Sequence, residues 1–421
     1  MTAPLGPHFF RHEYGRLVAL LSRRVGVQHL ELVEDSVQSA LLTAVESWGK
    51  ARVPDNPSAW LFRVAYNHFV GELRRYRRSA PLADEHVEAG SHESHEPTAV
   101  FLAGDVEDSL LRMLFVCCDD AIPIESQLVL ALKTLCGFDV REIAQRLFMT
   151  EANVYKRLGR ARSRLGEIRV LEKEVAPAEL AARLPAVQAI LYTLFTEGYL
   201  SSHAEHAIRR ELCDEALRLA SVLSEHPVGA TSETFALLAL MHLHAARMTA
   251  RQDGSGGLLL LEEQDRSLFD QQQLALGLSW LARSASGTVF SRYHAEAGIA
   301  AEHCLASTFA ETRWERIAEC YELLDRLAPS ALHSLNRAIA VAECRGPAEG
   351  LALLQGLEPP TWLAGSYLWS AVLADLHGRL GNSELAKRYR ESALELAPSP
   401  LVRATLERRF ITRVAWRTSR R

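Results

Sequence analysis

The sequence predicts an all-α protein with more than one domain. The chain has 421 residues, and single hydrophobic cores stop growing at roughly 250–300 residues, so two to four domains are expected. Hydrophobic residues make up 48% of the chain, which is enough to form such cores. Alanine, leucine, arginine and glutamate dominate while runs of β-branched residues are scarce, a composition that favours helices.

Composition argues against a membrane protein, a disulfide-rich protein and a metalloprotein. No apolar run approaches the roughly 20 residues of a membrane-spanning helix, and MTAPLGPHFFRHEYG lacks the order of a signal peptide, so a cytoplasmic protein is expected. The seven cysteines are scattered without a C-x-x-C pair, which predicts small buried thiols in a reducing compartment. The histidines at 203–206 and 242–244 lack partners at ligand spacing, so neither a metal nor another cofactor is expected.

Two basic segments stand out in a chain whose net charge is −5. Residues 60–78, WLFRVAYNHFVGELRRYRR, contain five arginines and one glutamate, and residues 141–169 contain eight basic and three acidic residues. The rest of the chain is therefore strongly acidic. Local basic patches on an acidic body predict contact with a polyanion at defined surfaces.

Residues 8–78 are predicted to form the first helical domain. FRHEYGRLVALLSRR is amphipathic, and a polar turn, GKARVPDNPS, ends in Ser58, which we expect to cap a helix beginning near Trp60. Between these two segments, LELVEDSVQSALLTAVESW has apolar residues at helical spacing, namely Leu32, Val33, Val37, Leu41, Leu42 and Val45.

Residues 79–108 are predicted to be a linker, and residues 109–169 a second helical domain. The linker segment is polar and acidic at first, contains two prolines and has no clear period. Helical periodicity returns after it. Within the second domain, Met149-Thr150 can break the helix, and Thr150 is expected to cap the next one.

The helix that follows Thr150 has two distinct faces. On a wheel of about 100° per residue, Val154, Leu158, Ala161 and Leu165 fall within about 60°. A separate arc of about 100° carries polar and basic side chains, namely Asn153, Lys156, Arg157, Arg160 and Arg164. A helix, a short turn and such a helix predict a helix-turn-helix. The alternative from these residues alone is an ordinary arginine-rich surface helix.

The basic segment 60–78 differs because aromatic residues alternate with its arginines. Rings that stack on unpaired bases, with cations along the backbone, suit single-stranded DNA. The alternative for Phe62 and Phe69 is that they belong to the core. The arginines at the end of the segment cannot all be buried, so the alternative to DNA contact is that they form a solvated charged face: Arg74, Arg75, Arg77 and Arg78.

Residues 177–411 are predicted to be a helical C-terminal extension with tetratricopeptide-like repeats at about 298–398. RLAPSAL and ELAPSPL lie 69 residues apart, about twice the 34-residue repeat. Units starting at Gly298, Leu332 and Tyr367 fit the pattern, which indicates stacked helical hairpins. The segment 180–290 has no visible period and is predicted only to be helical.

The first 170 or so residues resemble an extracytoplasmic-function type sigma factor of bacterial RNA polymerase. LVEDSVQSALLTAVESW resembles region 2.2, NPSAWLFRVAYNHFVGELRRYRR resembles regions 2.3 and 2.4, and FDVREIAQRLFMTEANVYKRLGRARSRL resembles region 4.2. The pieces occur in the family's order and spacing. The resemblance implies two small helical sigma domains followed by the extension, which is similar to the tetratricopeptide-like C-terminal domain of one sigma subgroup.

The resemblance also implies partners and residue roles. Asp35 and Gln38 would bind the clamp of core RNA polymerase. The minus-ten element would be captured and melted by Asn56, Trp60, Arg63 and Asn67, and the minus-thirty-five element would be read by Lys156, Arg157 and Arg160. The arginines and the asparagine of the same basic faces complete the expected DNA-binding set: Arg74, Arg75, Arg77, Asn153 and Arg164. The extension would be regulatory and could bind a regulatory protein.

The residues also leave two other classes of function to consider, a conventional transcriptional regulator and an enzyme. A conventional helix-turn-helix regulator, with helical repeats that sense a ligand or peptide, explains 141–169 and the repeats but leaves 60–78 unexplained. An enzyme has no support, because the sequence lacks a glycine-rich phosphate loop, a paired carboxylate motif and a nucleophile elbow. No catalytic residue is therefore expected.

Overall fold

The protein is all-α throughout the part of the chain that the structure describes. The structure, a computed structural model, describes residues 7–48, 53–79, 103–147, 149–167, 176–200, 208–253, 257–398 and 402–410. Within those ranges α-helices dominate, and β pairing is limited to an isolated bridge between Gln252 and Leu258. The predicted fold class is therefore confirmed.

The chain divides into two compact units. The N-terminal unit comprises Met1–Glu197 and Asp214–Gly229, and the C-terminal unit comprises Gly198–Cys213 and Ala230–Arg421. The first nine helices in chain order are α1 (Pro7–Val25), α2 (Leu30–Trp48), α3 (Pro57–Ser79), α4 (Ala103–Cys117), α5 (Ile124–Thr134), α6 (Val140–Arg146), α7 (Glu151–Glu167), α8 (Pro177–Tyr199) and α9 (Arg210–Glu225). Helices α8 and α9 each begin in one unit and end in the other.

Helices α1 to α3 pack around an apolar core. Both Phe62 and Phe69 are 3% exposed, so the core alternative holds for these two aromatic residues of α3. The predicted cap at Ser58 is wrong: α3 begins at Pro57, and the side-chain oxygen of Asn56 accepts a hydrogen bond from the backbone N–H of Ala59 at 3.0 Å. Proline suits the first helical position because its fixed φ is already helical and its missing N–H is not needed there.

Helices α4 to α7 form the second part of the N-terminal unit. Helix α4 begins at Ala103, so the last residues of the predicted linker are helical, while residues 80–102 lie outside the described ranges. Helix α6 has a capping box in which Asp139 accepts from the N–H of Glu142 and Glu142 accepts from the N–H of Asp139. The predicted cap of α7 is present, because the hydroxyl of Thr150 accepts from the N–H of Asn153 at 3.3 Å.

The C-terminal unit continues as a series of helices. They are α10 (Ser232–Arg247), α11 (Gln271–Ser284), α12 (Arg292–Leu305), α13 (Trp314–Leu327), α14 (Ala331–Cys344), α15 (Pro347–Leu354), α16 (Thr361–Ala364), α17 (Tyr367–Leu380) and α18 (Ser383–Glu395), with a further helical segment at 402–410. Helix α10 is buried on nearly all sides and packs against α11 and α12. A helix buried all round has no polar face, which explains why the segment of α10 shows no amphipathic period.

The repeat segment consists of consecutive helices that pack in pairs. Helix α17 begins at the predicted start Tyr367, and α14 begins one residue before the predicted start Leu332. The predicted start at Gly298 instead falls inside α12, which begins at Arg292 because Ser291 and His294 form a capping box there. Gly381 ends α17 with a φ of 85°, a left-handed conformation that favours glycine.

The cysteines and histidines of the described residues contain no metal cluster or disulfide. All seven cysteines are free thiols, five of them buried, and burial raises the pKa of Cys117 well above its ordinary value. No set of three or more His, Cys, Asp or Glu side chains in the described ranges could hold a metal ion, and the histidines at 203–206 lie outside those ranges. None of the described helices is both long and apolar enough to span a bilayer.

Candidate nucleic-acid and polymerase interfaces

One face of α3 carries most of the side chains expected to meet the minus-ten element. On a wheel of about 100° per residue, Trp60, Arg63, Asn67 and Arg74 fall within about 60°. The side chains of Arg63, Asn67 and Arg74 are exposed, and Trp60 is half-buried. Because the opposite face contributes Phe62 and Phe69 to the core, the helix is held with the polar face outward.

The ring of Trp60 packs against other aromatic rings. Its ring centroid lies 5.3 Å from that of Trp48, the last residue of α2. Trp48 in turn contacts Phe9 and Phe10 of α1 at 6.3 and 6.2 Å. Offset and tilted ring pairs at such distances are favourable. The indole of Trp60 is therefore fixed by neighbouring rings while part of its surface stays open to a partner.

The remaining residues of the α3 set have different surroundings. The side-chain oxygen of Asn56 serves as the N-cap of the helix. Arg75 is exposed and forms an ion pair with Glu72 at 2.6 Å; exposed pairs of this kind contribute about 0–1 kcal/mol and exchange readily. The side chain of Arg77 lies outside the described part of the structure.

Helix α7 divides its faces as the sequence predicts. Val154, Leu158, Ala161 and Leu165 are buried. The opposite face is exposed at Asn153, Lys156, Arg160 and Arg164. This separation leaves a cationic surface on a helix whose position is fixed by its apolar face.

Two arginines on the cationic face of α7 have partners within the chain. Arg157 is half-buried and donates to the backbone carbonyl of Glu125 at 3.1 Å. Arg164 forms an exposed ion pair with Glu167 at 2.8 Å. Asn153 and Arg157 also line an open groove between α6 and α7, together with Ala144, Gln145, Leu147, Met149 and Thr150. The groove and the cationic face together form a helix-turn-helix surface.

The exposed face of α2 is longer than the sequence indicated. Asp35 and Gln38, the expected polymerase contacts, are exposed. The same arc of about 80° also includes Glu31 and two apolar residues, Leu42 and Val45, which are 58% and 57% exposed. The sequence analysis did not assign Leu42 and Val45 to this surface. It grouped them with the other apolar residues of α2, which recur at helical spacing and were expected to be core. Their angular position beside Asp35 and Gln38 is the signal that could have found them.

Arg162 is another residue whose role could not be predicted from the sequence. It lies off the cationic face of α7 and reaches α2 instead, where it pairs with the buried carboxylate of Glu34 and, at 3.3 Å, with Glu31. Its partners precede it by 128 and 131 residues. No local pattern in the sequence could have indicated these contacts.

Helix α8 is attached to the end of α4 by a buried ion pair. Arg183 approaches the carboxylate of Asp119 at 2.5 Å and also donates to the backbone carbonyl of Phe115 at 3.3 Å. Both charged side chains are almost fully buried, at 7% and 11% exposure. Because removing one partner of a buried pair leaves an uncompensated charge, this contact holds α8 firmly.

Comparisons with known proteins cover most of the chain. Family models match "Sigma-70 region 2" at residues 9–79, "Sigma-70, region 4" at residues 113–165 and a "Family of unknown function (DUF6596)" at residues 183–285. No solved structure matches.

Two kinds of relatives were found. "Uncharacterized protein R00370" of Rhizobium meliloti (strain 1021) is 32% identical over 371 residues, 88% of this chain and 87% of the relative. "ECF RNA polymerase sigma factor SigM" of Mycobacterium tuberculosis, from strains Erdman and H37Rv, is 29% identical over 164 residues, 38% of this chain and 74% of the relative.

The matched segments contain the surfaces described above. The region 2 match contains α2 and α3, the region 4 match contains α5, α6 and most of α7, and the DUF6596 match begins at Arg183 in α8. The chain belongs to the extracytoplasmic-function type of the sigma-70 family and is an RNA polymerase sigma factor with a helical C-terminal extension.

Proposed function

We propose that this sigma factor directs core RNA polymerase to specific promoters by gripping two DNA elements, and that its extension regulates this activity. The observation that supports the proposal most strongly is the presence of a cationic helix-turn-helix surface and an aromatic-cationic helix face in one chain. The polymerase catalyses RNA synthesis. The sigma factor recognises the promoter and separates the DNA strands, without a catalytic step of its own. Its place of action is the cytoplasm, with the polymerase.

The minus-ten element is proposed to be melted at α3. Trp60 presents a supported ring next to exposed Arg63 and Asn67. A base that leaves the duplex can stack on an aromatic ring, which contributes about 1–3 kcal/mol per base. The arginines Arg74, Arg75 and Arg77 would hold the phosphates further along the same helix.

The minus-thirty-five element is proposed to be read by α7. Lys156 and Arg160 are exposed on the cationic face, where arginine can bind phosphate or the edge of guanine. Asn153 and Arg157 line the adjoining groove. The Glu125 carbonyl fixes the guanidinium of Arg157, so less freedom is lost when it meets DNA.

The exposed face of α2 is proposed to bind the polymerase. Asp35 and Gln38 supply polar contacts, and Leu42 and Val45 supply apolar surface that gains from being removed from water. The family assignment makes core polymerase the partner, and the exposed side chains of Asp35, Gln38, Leu42 and Val45 are the part of α2 that can meet it.

The extension is proposed to regulate the sigma domains from within the chain, and its repeats could also bind a regulatory protein. Support comes from the buried Arg183–Asp119 pair, which ties the first helix of the extension to the domain that contains the helix-turn-helix. A change in the extension can therefore act on this domain mechanically.

The central test is holoenzyme formation. Purified protein is mixed with bacterial core polymerase and a promoter library, and stable complexes and run-off transcripts are measured. We expect a holoenzyme and transcription from a discrete promoter set. Tight binding to duplex DNA by the protein alone, with no binding to core polymerase, would contradict the proposal and favour a conventional regulator.

Trp60→Ala should impair promoter opening more than initial binding. Loss of one stacked base at about 1–3 kcal/mol corresponds to a fall in open complex of about 5- to 150-fold, measured by the reactivity of unpaired thymines. Tyr76→Ala is the matched control, because Tyr76 is 74% exposed on the opposite side of α3. Equal losses of binding and opening would count against a melting role.

Arg160→Ala should weaken holoenzyme binding at the minus-thirty-five element. Loss of a phosphate contact predicts a slope of log affinity against log salt that is about 0.9 less negative. Loss of a base contact predicts a loss of about 1–3 kcal/mol of binding free energy confined to one base pair. Binding is measured across salt concentrations on matched and mutated elements. Arg316→Ala, which removes an exposed charge from α13, is the control, and equal behaviour of the two variants would refute the assignment.

Ending the chain at Ala176 should change transcription by the reconstituted holoenzyme. The truncation removes Arg183 from its buried partner, so the region 4 domain loses the restraint that α8 provides. Run-off transcription and core binding are compared with the full chain, and residues 177–421 are added separately as a control for restoration. Unchanged activity in vitro and in cells would show that the extension is not regulatory.

A further inference from the structure

Three buried or half-buried arginines of the extension lie close together at the end of α10. Arg247, the last residue of α10, is 6% exposed. Arg251 follows in the next helical turn, and Arg266 lies shortly before α11. Burial, and then the positive charge of Arg247, lowers the pKa of both Arg251 and Arg266. We call these three residues the arginine cluster.

The histidines beside the arginine cluster are neutral. Burial, and next the charges of Arg247 and Arg266, lower the pKa of His303 to about 3. Burial, and next the charges of Arg247 and Arg251, lower the pKa of His244 well below its ordinary value. A positive surrounding disfavours the protonated imidazole. Both histidines therefore report an excess of positive charge at this place in the extension.

Two members of the cluster have a structural role at helix ends. Arg251 donates to the backbone carbonyl of Tyr199, the last residue of α8, at 2.6 Å, and its guanidinium carbon lies 3.8 Å from the centre of the Tyr199 ring. Arg266 donates to two backbone carbonyls at the end of α12, both at 2.6 Å. Arginine is favourable at the carboxyl ends of helices. These contacts use the hydrogen bonds of the two side chains without supplying a full negative charge.

Arg247 differs from the other two members because one edge of its guanidinium is incompletely bonded. Its Nη2 donates to the side-chain oxygen of Gln264 at 3.0 Å, whereas its Nε is buried and has no hydrogen-bond partner among the described residues. Nε and Nη2 form the edge of the planar group to which two oxygens of one carboxylate or phosphate bind side by side. A single neutral oxygen, that of Gln264, stands at this edge.

The charge of Arg247 also lacks a counter-charge. In the described part of the chain no carboxylate lies within ion-pair distance of any member of the arginine cluster. Burial of a charge is offset only by good pairing and hydrogen bonds, and an apolar side chain of similar size would avoid this loss of stability. A charge that is kept under such conditions is typical of a binding site.

The burial of Arg247 restricts the ligand to a small one. The phosphates of a nucleic acid and the carboxylates of a protein surface are met by exposed cations, such as Lys156 and Arg160 of α7. A guanidinium that is 6% exposed is reached by a single functional group of a small molecule. Two oxygens and a negative charge are what the Nε–Nη2 edge needs, so the group is a carboxylate or a phosphate.

We propose that the arginine cluster is a binding site for a small molecule with a carboxylate or phosphate group, which displaces the Gln264 side chain and binds the Nε–Nη2 edge of Arg247. The cluster lies within residues 183–285, the segment that matches the family of unknown function. A ligand that binds only the folded extension stabilises it. The site is argued from the extension alone, whereas an effect of its ligand on transcription rests on the proposed regulatory role of the extension.

The first test titrates the full chain with inorganic phosphate and, separately, with succinate, which distinguishes the two kinds of anion. Sodium chloride at the same ionic strength is the control for screening. Calorimetry should show saturable binding of at least one probe, with a dissociation constant of about 1 mM or below for two charge-assisted hydrogen bonds. Amide hydrogen exchange in α10 should slow about 10-fold when the probe is at ten times this constant. Lack of saturable binding by both probes would overturn the site.

Substitutions of Arg247 separate binding from folding. Arg247→Met removes a buried charge, so the free protein should keep or raise its unfolding temperature while anion binding is lost. Arg247→Lys keeps the charge without the paired donors and should weaken binding at least about 10-fold. Arg316→Ala, which removes an exposed charge from α13, should bind as the wild type does. Equal binding by Arg247→Met and the wild type would locate the anion at another basic surface and overturn the proposal.

Substitutions of Gln264 keep the test valid if Arg247→Met fails to fold. Gln264→Glu supplies a carboxylate from within the chain, so it should raise the unfolding temperature and abolish the binding of both probes. Gln264→Ala removes the side chain that the anion must displace and should tighten binding. Binding by Gln264→Glu that equals that of the wild type would show that the anion does not use this edge of Arg247, and would overturn the proposal.

Run-off transcription by the reconstituted holoenzyme tests the link to regulation. A saturating probe should change transcription by the wild type relative to Arg247→Met at the same ionic strength, and Gln264→Glu should give the changed level without the probe. Binding as expected with unchanged transcription would leave the site intact and overturn its link to regulation. Failure of the wild type to form a holoenzyme would overturn the proposed function, while the calorimetry would still decide the site.

Discussion

The burial of the Glu34 charge is the constraint on which the N-terminal unit depends. A carboxylate removed from water needs donors on several sides, and Thr134 of α5 and Arg162 of α7 each provide one. Helices α5 and α7 must therefore keep fixed positions relative to α2. Gly15 of α1 serves the same arrangement, because a Cβ atom at this position would lie 2.1 Å from the backbone carbonyl oxygen of Leu135, just after α5.

The same helices that build the core also present the surfaces for partners. Each of α2, α3 and α7 has a buried stripe and an exposed stripe of distinct chemistry: acidic and apolar on α2, aromatic and cationic on α3, cationic on α7. Surfaces on helices are held more exactly in place than surfaces on loops. The orientation of every proposed contact is thus set by packing on the opposite side of its own helix.

Helical periodicity predicted the parts of the structure that depend on local sequence. The two faces of α7, the cap at Thr150 and the helical start at Tyr367 follow from residues within a few turns. Contacts between distant segments could not be predicted from local patterns. In the sequence, Arg162 is one of several basic residues of α7, and only the structure shows that it pairs with Glu34 of α2. Helix α10 could not be located by periodicity for a different reason. It is buried on nearly all sides, so its sequence lacks the alternation of polar and apolar faces that marks a surface helix. The roles of single residues on DNA and polymerase were predicted by resemblance and remain predictions.

The cap at the start of α3 limits what Asn56 can offer to a nucleic acid. Its carbonyl oxygen already accepts the N–H of Ala59, so one of its two lone pairs is used, while both amide protons are left for an outside partner. The proposed contact of Asn56 with DNA would therefore be made mainly by donation to acceptor atoms. This preference is set by the capping of the helix before any DNA arrives.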